Sequence, residues 1–152
     1  MSWLYNGEEI TEENIPENAA GFIYMIKHNP SGRYYIGKKS LESVRNVKIG
    51  VRELKRIKEE RKLKGTRGPL PKKKKVRKSS DWQTYYSSND WIREQIKEGK
   101  DNEFTRIILR FCNSKKSLSY YETKYLFDYD VLLDDNSLNG NISGKWYRRD
   151  LE

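Results

Sequence analysis

The sequence predicts a small α/β domain of the α+β kind, with three strands and flanking helices. Three observations point to it. The apolar run Phe22-Ile23-Tyr24-Met25-Ile26 and the run Arg33-Tyr34-Tyr35-Ile36-Gly37 flank a dense turn signal, Asn29-Pro30-Ser31-Gly32, which is the pattern of a β-hairpin. Phe104–Cys112 alternates poorly but is apolar enough for a third strand. Trp91, Ile92, Gln95 and Ile96, and later Leu118, Tyr121, Tyr125 and Leu126, recur at helical spacing.

Taken in order, residues 1–20 are acidic, and Pro16 and Asn18 mark them as irregular. The hairpin follows. Leu41, Val44, Val47 and Val51 recur at three- and four-residue steps, which predicts a first helix, weakened by Gly50. Glu53–Lys64 is mostly charged and reads as a solvated helix. Ten of the eighteen residues in 61–78 are Lys or Arg, interrupted by Gly65, Gly68, Pro69 and Pro71. A basic, flexible insertion at about residues 53–80 of a single domain is therefore expected. Ser87-Ser88-Asn89-Asp90 offers caps for the next helix and Gly99 stops it. Ser114 or Ser117 caps the last helix, where Glu122 lies beside the apolar stripe.

Composition bounds the partners. The chain has 152 residues, which fits one domain. Apolar residues make up 35%, below the usual ~45–50% (a reference that also counts Gly), so the core is modest. An aromatic content of 12% argues against full disorder. The net charge of +9 points to a polyanion, and nucleic acid is the commonest. No apolar run approaches the ~20 residues that span a bilayer, and residues 1–13 lack the basic and apolar regions of a signal peptide. A soluble intracellular protein without membrane attachment is expected.

Cys112 and His28 are the only residues of their kinds. An intramolecular disulfide, a cysteine zinc cluster and any mechanism needing two histidines are thereby excluded. Cys112 reads as a core residue and His28 as a turn residue. Trp82 and Trp91 read as core, with Trp3 and Trp146 packing locally near the ends.

Ten residues separate Tyr24 from Tyr35, and a tight hairpin brings the two together on neighbouring strands. With Gly21-Phe22-Ile23-Tyr24 and Tyr35-Ile36-Gly37, the chain resembles the GIY-YIG nuclease family. Phe22 stands where that family usually has Gly, with Gly21 one place earlier. Arg45 lies eight residues after Gly37, Glu122 sits on a late helix in the context SLSYYETKYLF, and Asn139 follows in a turn. Each matches a family position. The resemblance covers roughly 21–48 and 80–142. Lys38-Lys39 after the second tripeptide and the element Trp82, Tyr85, Tyr86, Ser88 are similar to small phage-borne members.

The resemblance implies a small three-stranded antiparallel sheet and a DNA endonuclease leaving 5′-phosphate and 3′-hydroxyl ends. Tyr35 would take a proton from the attacking water or hold that water in line. Tyr24 would hydrogen-bond Tyr35 or the water. Arg45, on the first helix, would contact the phosphate, with Arg52 and Arg56 as reserves. Glu122 would hold one Mg²⁺ or Mn²⁺. Gly37, Lys38, Lys39 and Asn139 would support the site, with Lys38 or Lys39, or the bound metal, favouring the Tyr35 phenolate. Lys72, Lys73, Lys74, Lys75, Arg77 and Lys78 would track the phosphates of double-stranded DNA. The same run also reads as a solvated surface or as a nuclear import signal. A catalytically inactive DNA- or RNA-binding protein on the same fold is the alternative function. Oligomeric state, monomer or homodimer, and role, in an infected bacterial host or elsewhere, are not written in the sequence.

Overall fold

The computed structural model of the chain describes residues 2–151, the side chain of Val44 excepted. The elements in order are β1 (Trp3–Tyr5), β2 (Glu8–Ile10), β3 (Gly21–His28), β4 (Tyr34–Ser40), β5 (Glu42–Lys48), α1 (Val51–Lys64), β6 (Lys73–Ser79), α2 (Asp90–Lys97), β7 (Phe104–Cys112), α3 (Lys115–Asp128), β8 (Asn141–Ile142) and β9 (Trp146–Tyr147). They form two compact units, one of residues 1–41 with 80–152 and one of residues 42–79. Among the described residues no helix is long and apolar enough to cross a membrane.

The first unit is built on a five-stranded sheet in the order β2-β1-β7-β3-β4. The expected hairpin is β3 with β4, and the expected third strand is β7, antiparallel to β3. A register shift in β7 opposite Ile23 and Tyr24 accounts for its poor alternation, because a bulge turns the following side chains to the other face. The sheet has two strands more than the sequence promised. Residues 1–20, read as irregular, contain β1 and β2, and β1 runs parallel to β7. Trp3 is not a peripheral tryptophan but is buried edge-on against Phe22 and Tyr24. Its indole donates to the Trp82 carbonyl at 2.7 Å. Three-residue strands are too short to announce themselves by periodicity.

Each face of the sheet carries its own core. Phe22, Tyr24 and Ile26 pack with Trp3, Trp82, Ile92 and Ile108 on one face. Ile23, Tyr34, Ile36 and Cys112 pack with Leu118, Leu126, Val131 and Ile142 on the other. Asn89 caps α2, accepting from the Ile92 amide, and Ser114 caps α3, accepting from Ser117. His28 closes β3 rather than standing in the turn. It is buried against Trp91 and Phe104 and bonded to Ser31 and Glu103.

The second unit leaves and rejoins the first at a hydrogen-bonded neck, where Ser80 donates to the Leu41 carbonyl and to the Ser40 carbonyl. Two expectations fail in this unit. The valine spacing that suggested a helix over 41–51 belongs to strand β5, and α1 begins only at Val51. The basic run 61–78, read as a flexible loop, continues α1 to Lys64 and then forms strand β6, antiparallel to β5. Gly65, at φ 65°, closes α1 in the left-handed region that glycine tolerates. Consecutive lysines are compatible with a strand because alternate side chains point to opposite faces and the edges stay solvated.

Candidate active site

Register places the tyrosines. Tyr24 lies directly opposite Gly37, and Tyr35 is two residues from Gly37 on the same face. The two rings stand 6.4 Å apart. Gly37 is required by space. A Cβ there would sit 2.5 Å from the Tyr24 phenol oxygen, so only glycine lets the buried ring lie flat on β4. Gly21 is equally constrained, since a Cβ would collide with the Lys39 carbonyl and Leu118. The family's usual glycine position is taken by Phe22, which fills the aromatic core beside Trp3, Trp82 and Phe111.

Glu122 arrives from the opposite layer. Leu118 and Leu126, four residues before and after it, are buried against the sheet. The same stripe therefore carries Glu122 over the edge strand β4. Burial raises its carboxyl above the ordinary glutamate range, while the Lys38 ammonium and backbone amide pull it part of the way back. Tyr35 and Tyr24 both feel the Glu122 charge.

Asn139 explains why that edge is shaped this way. Its side chain accepts from the Ile36 amide at 3.0 Å and donates to the Ile36 carbonyl at 2.9 Å. A side-chain amide thus imitates a sixth strand for one residue. The tail also pairs with Tyr34 through Asn136 and Leu138. These contacts seal the edge at residues 34–36, and Lys38, two residues on, faces Glu122. Arg148 pins the tail by donating to the carbonyls of Asp134, Val131, Ser137 and Asn139.

Two expected roles change. The Tyr24 phenol is hydrogen-bonded with Tyr85, not Tyr35, and burial pushes it far above the ordinary tyrosine range. Nor do Lys38 and Lys39 favour a Tyr35 phenolate. Burial raises the Tyr35 phenol, the nearby Glu122 raises it further, and only the Ser88 hydroxyl, 3.3 Å away, lowers it. The Lys38 ammonium donates to Ser119. The Lys39 ammonium donates to Asp81 at 2.5 Å and lies 4.0 Å over the Tyr85 ring.

Arg45 is on strand β5, opposite Val76, rather than on a helix. Arg52 and Arg56 are on α1. All three belong to the second unit.

Sequence reasoning placed Tyr85 and Ser88 in a family element without a role at the site, and it missed Arg106. Tyr85 lies against Tyr24, their rings 5.9 Å apart, and under Lys39. Ser87 adopts φ 78° just before Ser88, a strained conformation for a residue with a side chain. Buried Arg106 is sandwiched between Trp3 and Tyr86 and donates to the Gln83 and Tyr85 carbonyls, both at 3.0 Å. It fixes the segment that presents Tyr85. The signal for it was an arginine directly before the apolar run Ile107-Ile108-Leu109 of β7.

The chain matches the family described as "Putative endonuclease segE, GIY-YIG domain" over residues 3–150. The chain belongs to the GIY-YIG endonuclease family. No curated protein and no solved structure matches it. The GIY-YIG match spans both compact units, so residues 42–79 lie inside the matched domain. Phe22-Ile23-Tyr24 of β3 and Tyr35-Ile36-Gly37 of β4 meet at the Tyr24–Gly37 pair, and a mixed α/β fold with a mostly antiparallel sheet carries them.

Proposed function

We propose that this GIY-YIG domain is a metal-dependent endonuclease of double-stranded DNA, leaving 5′-phosphate and 3′-hydroxyl ends. The observation that carries the reading is the convergence of Tyr24, Tyr35 and Glu122 on β4 from two layers of the fold. A packing role would call for a second apolar residue at position 122, between Leu118 and Leu126. A carboxylate there is costly unless it meets a cation or a proton.

The donor set suits Mg²⁺ or Mn²⁺. Among the described residues no three metal-ligating side chains gather, and Mg²⁺ needs only one or two carboxylates because it keeps several of its waters. Glu122 would hold the ion, which supplies charge stabilisation at the phosphate.

In the reaction a water oxygen attacks phosphorus in line with the P–O3′ bond. That bond breaks, the phosphate stays on the 5′ side, and O3′ leaves as a hydroxyl after taking up a proton. Without the metal, burial and the Glu122 charge both raise the Tyr35 phenol above its ordinary range. Tyr35 holds the water by hydrogen bonding, and the Ser88 contact orients it. Tyr24 and Tyr85 form the wall behind it. Charge relief on the phosphate is assigned to Lys38 and Lys39, which belong to the same unit as the tyrosines. Arg45 and the basic run of residues 72–78 contribute to DNA affinity.

The test is incubation with supercoiled plasmid, with and without Mg²⁺. Nicked and then linear product with Mg²⁺ alone supports the reading. A mobility shift without cutting at any metal concentration supports the inactive nucleic-acid-binding alternative.

A further inference from the structure

The basic unit has two chemically different faces. Pairing of β5 with β6 sets Val47 opposite Lys74, Arg45 opposite Val76 and Ser43 opposite Lys78. Those six share one face of the ribbon. On that face Val47 and Val76 are half-buried, and Lys74 pairs with Glu53 of α1 at 2.5 Å. The other face holds Lys48 opposite Lys73, Asn46 opposite Lys75, and Arg77. All five are exposed. Glu42, opposite Ser79, is the acid on this face, at the end next to the neck.

We infer that the outer face of the β5–β6 ribbon, with Lys48, Lys73, Lys75 and Arg77, lies in the major groove of duplex DNA. This inference rests on the proposed DNA substrate and adds how the basic unit meets it. The partner follows from charge: four cations share a face with one acid, whereas of the three cations on the opposite face, Arg45, Lys74 and Lys78, Lys74 is already paired with Glu53. The groove follows from dimensions, because strands in a ribbon are ~4.8 Å apart and the major groove, ~12 Å wide, admits a two-stranded ribbon. The alternation also divides the lysine run. Lys73, Lys75 and Arg77 meet DNA, and Lys74 and Lys78 do not.

The test measures DNA affinity against salt in the Glu122→Gln background, so that cutting does not interfere. Lys73→Ala/Lys75→Ala/Arg77→Ala is compared with Lys72→Ala/Lys74→Ala/Lys78→Ala, each checked for folding by a melting curve. The outer-face triple should lower the magnitude of the log–log salt slope by about 2–3, at ~0.9 for each phosphate no longer neutralised, and the other triple by less than about 1. A second duplex carries bulky C5 substituents on its pyrimidines, which fill the major groove and leave the phosphates intact. On it the parent protein should fall to the affinity of the outer-face triple. Equal slope losses from the two triples would overturn the inference in favour of an unoriented basic patch. A face-selective loss with no effect of the C5 substituents would overturn the groove placement. Unchanged slopes for both triples would overturn the surface altogether. Plasmid cutting by the parent chain is read separately, so the endonuclease reading stands or falls by itself.

Discussion

Asn139 holds both the amide and the carbonyl of Ile36, across 103 residues of sequence. The contact joins the C-terminal tail to the strand that carries Tyr35 and Gly37. Asn139→Ala leaves two buried backbone groups without partners, each costing about 1–3 kcal/mol. A destabilisation of roughly 2–4 kcal/mol is expected in urea unfolding. Asn139→Asp should fare no better, since it deletes the donor to the Ile36 carbonyl. A loss below about 0.5 kcal/mol would mean that the tail is held mainly by Arg148.

Gly37→Ala tests the close approach of Tyr24 to β4. The added methyl displaces the phenol, and overpacking of this kind costs about 1–3 kcal/mol. Cleavage should fall more than stability implies, because Tyr85 and Tyr35 both lie against the displaced ring. A variant with unchanged melting temperature and unchanged rate would remove the spatial reason for this glycine.

Glu122→Gln should separate stability from activity. Burial raises the Glu122 carboxyl in the folded state. A raised acid binds its proton more tightly when folded, so its stabilising effect is full below the unfolded value, about 4.3, and is lost as pH rises through the folded value. Without added metal, Glu122→Gln should therefore melt higher than wild type at neutral pH, with the difference vanishing toward acid pH. Activity should be lost at every pH. A variant that melts lower at neutral pH would show that the ionised carboxylate is already well satisfied in the fold.

The cations should divide in the same way. Lys39→Ala should lower the single-turnover rate at saturating DNA by about 10²-fold, within the span of losing one electrostatic donor. Arg45→Ala should weaken binding and leave that rate within a few-fold. The reverse pattern would return the phosphate contact to Arg45.

Hairpin, third strand and both capped helices were legible because each is long and patterned. The approach of Tyr24 to Tyr35 was legible because hairpin register is a local rule, whereas Glu122 was singled out by the family resemblance and not by its spacing. The two N-terminal strands were not legible, since their stability comes from pairing with β7 rather than from their own pattern. The second unit was misread for a related reason. A run of lysines opposes regular structure by itself, and its strand exists only through pairing with β5. Tyr85 and Arg106 act through contacts between segments distant in sequence, as in the Arg106 bonds to the Gln83 and Tyr85 carbonyls.

The most direct measurement is single-turnover cleavage by Tyr35→Phe at saturating Mg²⁺, beside a melting curve and a binding isotherm. The substitution removes one oxygen and keeps the ring packed against Tyr24. Loss of a water-holding group should slow cleavage by about 10²-fold, with binding and melting temperature close to wild type. Tyr24→Phe should cost less, because its phenol faces Tyr85. A Tyr35→Phe protein that cuts within a few-fold of wild type would contradict the mechanism, even with the fold intact.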